Sequence, residues 1–183
     1  PIDFKKFKEI SQFKNFESYF NILVFNHYIL EPKEIDPIRL EKIWFTISNQ
    51  INIFSRYRDR NFWEWRYKNC KYFKYIYWDC PNGSGVVVAR VEKVFDKKFK
   101  NKNFKLLRIM EILPTSKKIW QNKNDTNFEI FLSSILSWCN KEGLFAVDYH
   151  ISELCFHNFL KKIGFQLENH DKRYLPPVFS QIG

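Results

Sequence analysis

The sequence predicts an α/β domain, and three observations carry that reading. Three strand-like segments fill residues 72–113, with a strong turn after the first. Two helical segments precede them. A helix, a short apolar strand and a last helix stopped by glycine follow. At 183 residues the chain is read as one domain over 19–183, long enough for a sizeable core.

Residues 1–18 are charged and aromatic with weak periodicity, and read as an N-terminal arm or short helix. Tyr19–Leu30 is aromatic and β-branched, a strand broken by Glu31-Pro32. Asp36 as N-cap and Pro37 at the first turn open a helix. Leu40, Ile43, Trp44, Ile47, Ile51 and Phe54 give it one apolar face to about Phe54. A second helix is predicted over Asn61–Lys68.

Tyr72–Trp78 is the next strand, followed by the turn Pro81-Asn82-Gly83-Ser84-Gly85. Val86–Val94 follows, its Val-Val-Val-Ala run implying burial on both faces. After a basic tip at Lys97–Asn103 comes Phe104–Leu113, ended by Pro114. Thr115–Asn124 reads as a loop. Asp125 or Thr126 then caps a helix whose stripe is Phe128, Phe131, Leu132, Ile135, Leu136 and Cys139, stopped by Gly143. Leu144–His150 is a buried strand. Ser152 caps the last helix, which carries Leu154, Cys155, Phe159 and Ile163, with Gly164 suited to the left-handed C′ position. Gln166–Gly183 supplies one or two last strands, interrupted at Pro176-Pro177.

Hydrophobic residues make up 45% of the chain, which excludes disorder, and no apolar run approaches the ~20 residues of a membrane span. No signal sequence opens it, and Pro1 is compatible with Met removal or a cut from a longer chain. Cys70, Cys80, Cys139 and Cys155 form no C-x-x-C pair and read as thiols of a reducing cytoplasm. The four histidines have no ligand-like spacing with them, so no metal is expected. The net charge of +10 with 20 Phe, 9 Tyr and 6 Trp invites a nucleic-acid reading. A Lys-, Asn- and Ile-rich composition with 5 Gly also follows from an A+T-rich genome, so nucleic acid is the less favoured partner.

The segment Leu144–Phe165, closing in Lys162-Ile163-Gly164-Phe165, resembles the end of the GCN5-related N-acetyltransferase fold. The order β-αα-β-β-β-α-β-α-β matches that fold across roughly residues 19–175. The resemblance implies a mixed, mostly antiparallel central sheet flanked by helices. It implies acyl-CoA, most simply acetyl-CoA, as cosubstrate and a small-molecule amine as acceptor. Phe62–Tyr67 and Leu107–Pro114 look most like transferases of surface-glycan and amino-sugar pathways, so an amino sugar is the expected acceptor. A homodimer is left open.

In the family the coenzyme enters between two splayed strands, here Phe104–Leu113 and Leu144–His150. Pantetheine would pair near Glu111, Ile112 and Leu113. The family's glycine-rich pyrophosphate loop is missing from Pro114–Asp125. Lys117, Lys118 and Lys123 offer charge instead, and Asp125 would oppose an anion. Leu160 stands where the family often has a proton-donating Tyr, and Tyr149 is a substitute.

The candidate bases are Glu111, Asp148 and His150, the last two on one face of a strand. Arg90 and Arg108 lie in apolar strands; they either pair with Glu92, Glu111 or Asp148 or bind an anionic substrate group. Arg66 with Trp65 can stack on a sugar-like ligand. The missing glycines and Leu160 support a second reading, a non-catalytic domain of this fold that binds a partner. A basic nucleic-acid-binding module is the third.

Overall fold

The computed structural model describes residues 2–3, 30–51, 58–95, 103–121, 123, 125–149 and 155–165. Among the described residues, six strands form one sheet in the order β1-β6-β5-β4-β3-β2. They are β1 (Ile2–Asp3), β2 (Lys33–Glu34), β3 (Tyr75–Asp79), β4 (Gly85–Phe95), β5 (Asn103–Pro114) and β6 (Ala146–Tyr149). All neighbours are antiparallel except β5 and β6, which run parallel. The helices are α1 (Pro37–Gln50), α2 (Arg60–Trp63), α3 (Lys117–Trp120), α4 (Thr126–Lys141) and α5 (Cys155–Lys162). This is the mixed, mostly antiparallel, helix-flanked sheet that the sequence predicts.

The sheet has a core on each face. Val87, Ala89, Leu107, Ile109 and Ile112 pack with the α4 stripe and with Phe159 and Ile163. Val86, Val88, Leu113, Tyr75 and Tyr77 pack against α1 and Trp63. The Val-Val-Val-Ala run is therefore buried on both sides, as its composition requires. On α1, the Asp36 carboxylate accepts from the Ile38 and Arg39 amides, both at 3.1 Å. Arg39 joins the helix to β3 through two bonds to Asp79, at 2.7 and 2.9 Å.

Several boundaries differ from expectation, among them β3, which begins at Tyr75 rather than Tyr72, and β6, which begins at Ala146 rather than Leu144. Helix α1 stops at Gln50, with Ile51 extended at the C-cap, one turn before Phe54. The second helix widens after Trp63 into a π-turn over Glu64–Lys68, in which the Asn69 amide donates to the Glu64 carbonyl at 2.8 Å. This turn places Tyr67 in a stack with Trp63, centroids 5.8 Å apart. The segment read as loop 115–124 contains α3, whose Ile119 is 1% exposed. The predicted strand before Leu30, Ser152, Leu154 and the tail after Phe165 lie outside the described residues, as does the N-terminal segment apart from β1.

Gly85 opens β4 at φ +154°, where a side chain is strained. A Cβ there would lie 2.6 Å from both the Leu113 carbonyl oxygen and Phe128 Cε2, and 2.8 Å from Pro114 Cα. Backbone strain and overpacking each cost about 1–3 kcal/mol. Gly85→Ala is therefore expected to destabilise the fold by about 2–3 kcal/mol in urea titration. A loss below about 0.5 kcal/mol would show that β5 yields freely there.

Candidate active site

Strand β5 carries the feature that shapes the site. Its parallel pairing with β6 covers Leu106↔Ala146 to Ile109↔Tyr149, yet β5 runs on to Pro114. Among the described residues, that last stretch pairs with β4 alone. The register with β4 shifts at the same level. Val88 faces Glu111 and Ala89 faces Ile109, which leaves Met110 as an inserted residue. Such a bulge bends a strand and re-aims its side chains. Met110 packs with the α1 core and Ile112 with the α4 core.

Glu111 follows the bulge and is held from two sides. The Tyr67 hydroxyl donates to its Oε1 at 2.6 Å. Arg58 Nη1 lies 2.8 Å from its Oε2, a close charge contact without the alignment of a directed hydrogen bond. Arg58 itself sits 4.4 Å from the ring centre of Trp44, 5.4 Å from Phe62 and 5.6 Å from Trp63. An aromatic surround of this kind favours a cation at a fixed place. Burial holds the Tyr67 phenol above its ordinary pKa, and the Glu111 charge adds to the effect. The phenol thus stays protonated and remains a donor to the carboxylate. Sequence reasoning missed Arg58 and the hydroxyl of Tyr67, because neither stands in a motif and their convergence on Glu111 depends on the π-turn.

A second polar row crosses the same face. Arg90 is 4% exposed, pairs with Glu92 and donates to the Tyr75 hydroxyl at 2.9 Å. Its guanidinium lies 3.7 Å from the Phe73 ring centre. Arg108 lies between two carboxylates, 3.2 Å from Glu92 Oε2 and 3.0 Å from Asp148 Oδ2. The strand arginines therefore pair with Glu92 and Asp148, and Glu111 pairs with Arg58 instead. His150 lies outside the described residues, so its relation to Asp148 does too. Arg66 sits 5.9 Å from the Tyr67 ring centre, and Trp65 is 69% exposed beside it.

The residues meet the two ends of an acyl-CoA differently. At the end of β5 the side chains of Ile112 and Leu113 are buried in the two cores, which leaves their backbone as what this stretch can offer a pantetheine arm. The start of α4 does not suit a pyrophosphate. The Asp125 carboxylate accepts from the Phe128 amide at 3.2 Å, placing a negative charge where a phosphate would bind. The Trp120 indole donates to the Pro114 carbonyl at 2.8 Å, which ties α3 across the end of β5. Lys117 and Lys118 on α3 are exposed. Leu160 is a buried core residue.

No protein-family description matches the chain, and no curated protein matches it. Solved structures do. A mutant of the BH1408 protein from Bacillus halodurans superposes with a TM-score of 0.52 at 8% identity, covering 79% of this chain and 98% of that one. An acetyltransferase from Trypanosoma brucei gives 0.49 at 11% identity, covering 79% and 98%. The glucosamine-6-phosphate N-acetyltransferase of Arabidopsis thaliana gives 0.48 at 11% identity, covering 80% and 98%. Likeness at such identities is likeness of fold. The mixed, mostly antiparallel sheet flanked by helices expected from the sequence is the architecture observed.

Proposed function

We propose that this chain is an acyl-CoA-dependent N-acyltransferase, most simply an acetyltransferase, acting on a small amine such as an amino sugar. The observation that carries the reading is the bulge in β5 just past its parallel pairing with β6, with Glu111 following the bulge and held by Tyr67 and Arg58. Acyl-CoA supplies an activated thioester there. The backbone at Ile112 and Leu113 holds the pantetheine arm, and Lys117 and Lys118 meet the diphosphate as point charges. Glu111 accepts the acceptor's proton, directly or through a water. Arg58 and Tyr67 fix the carboxylate that does so. Asp148 with His150 is the second candidate base pair, and backbone amides near the bulge receive the developing oxyanion. Trp65 and Arg66 face the acceptor. Arg90, with its donors engaged, supports that face from within the sheet. The buried Cys139 thiol, pushed up to about 12 by desolvation, is a core group without a role in the chemistry. Cys70, Cys80 and Cys139 are free thiols, which suits a cytoplasmic protein. No described helix is long and apolar enough to cross a membrane.

The capped α4 start favours a second reading, a non-catalytic domain of the same fold. Isothermal titration with acetyl-CoA and desulfo-CoA separates the two. A transferase is expected to bind with a Kd of about 100 µM or below, weakening about tenfold in Lys117→Ala/Lys118→Ala. Absence of binding at millimolar coenzyme would overturn the transferase reading.

A further inference from the structure

A pocket of about 470 Å³ opens beside the π-turn, between β2 and the segment leading into β3. Lys68, Lys71 and Lys74 line it with Tyr72 and Phe73, and Glu34 is its one carboxylate. We propose that it binds a small phosphorylated ring compound, with the phosphate on the lysines and the ring against the aromatics.

Four observations support this. The volume is that of a small-molecule site. Among the described residues, none of the three lysines belongs to an ion pair, and residues 65–75 contain no acid. A cluster of unpaired ammonium groups is a natural phosphate receptor. Tyr72 is 82% and Phe73 43% exposed, so flat apolar rings stand in water next to those charges. Rings so placed stack on a base or pack against a sugar. Part of the lining is also held in place. The π-turn closes one wall, Arg90 holds both Phe73 and the Tyr75 hydroxyl, and the floor is the buried ring of Tyr67. A site fixed before binding loses less entropy on occupation.

Tyr67 lines this pocket while its hydroxyl reaches Glu111. The Tyr67 ring thus stands between a ligand in this pocket and the Glu111 carboxylate, which does not line it. The binding inference stands without acyl transfer, and its test is independent of coenzyme.

The test is a titration of the full chain with uridine monophosphate, glucose 6-phosphate, inorganic phosphate and a single-stranded oligonucleotide, with no coenzyme present. Saturable binding of a ring compound is expected below about 1 mM. It should weaken at least tenfold in Lys68→Gln/Lys71→Gln/Lys74→Gln and about threefold in Tyr72→Ala, and the tighter of the two ring compounds identifies the ring. These positions are exposed, and an unchanged circular dichroism spectrum confirms the fold. The proposal is overturned if neither ring compound binds, if inorganic phosphate binds as tightly, if the lysine variant binds equally well, or if the oligonucleotide alone binds. Coenzyme binding without ring-phosphate binding would sink this inference and leave the transferase reading intact. The reverse result would do the opposite.

Discussion

Arg90→Ala is expected to lower stability by about 3 kcal/mol or more in urea denaturation. The residue is 4% exposed in the middle of β4, and its partners come from three places. The Tyr75 hydroxyl accepts from it, Glu92 pairs with it, and the Phe73 ring lies 3.7 Å from its guanidinium. Truncation removes the packing of the stem, leaves a buried hydroxyl without its donor, and strips Glu92 of its nearer cation. Breaking a buried pair by deleting one partner typically costs about 3–5 kcal/mol. Arg108 also touches Glu92, at 3.2 Å, which places the expected loss at the lower end of that range. Replacing the pair with apolar residues differs from breaking it, because no orphaned charge remains. Arg90→Met/Glu92→Leu is therefore expected to recover at least half of the loss. A loss under about 1 kcal/mol for Arg90→Ala would mean that water reaches this row.

How far the sequence reads into the structure depends on whether a feature is local. The α4 stripe, its Asp125 cap and the buried β4 run were legible, because periodicity and capping act within a few residues. The neighbouring of β5 and β6 was legible only through family resemblance. No local signal marks which distant strands will pair. The bulge at Met110 was illegible for the same reason, since an inserted residue is defined by its partner strand. Helix α3 hides in Thr115–Asn124 because four residues give no period to detect, and Ile119 is buried by its neighbours. The pairing of Arg90 and Arg108 within the sheet was foreseeable from the cost of burying a lone charge. Which carboxylate each takes was not, because Arg58 and the π-turn take Glu111 out of contention.

That capture of Glu111 sets the second large expected effect. With a turned-over acceptor in hand, Glu111→Gln is expected to lower kcat/KM on the order of 10²- to 10⁴-fold, the usual contribution of a general base. The amide keeps the size of the side chain and can still accept from Tyr67, so the loss reports proton acceptance rather than collapse of the site. Tyr67→Phe keeps the ring that stacks on Trp63 and removes one bond to the carboxylate. A hydrogen bond to a charged group is worth about 1.5–3 kcal/mol, so a drop of about tenfold or more is expected, carried by kcat. Asp148→Asn leaves Arg108 with Glu92 and should change rate far less. If Glu111→Gln stays within about twofold while Asp148→Asn or His150→Ala loses a hundredfold or more, the base is Asp148 or His150 and Glu111 is an anchor for Arg58. The two assignments predict opposite orders of loss. That separates them because Glu111 meets Arg58 and Tyr67, while Asp148 meets Arg108, so each can be altered without unpairing the other's partners.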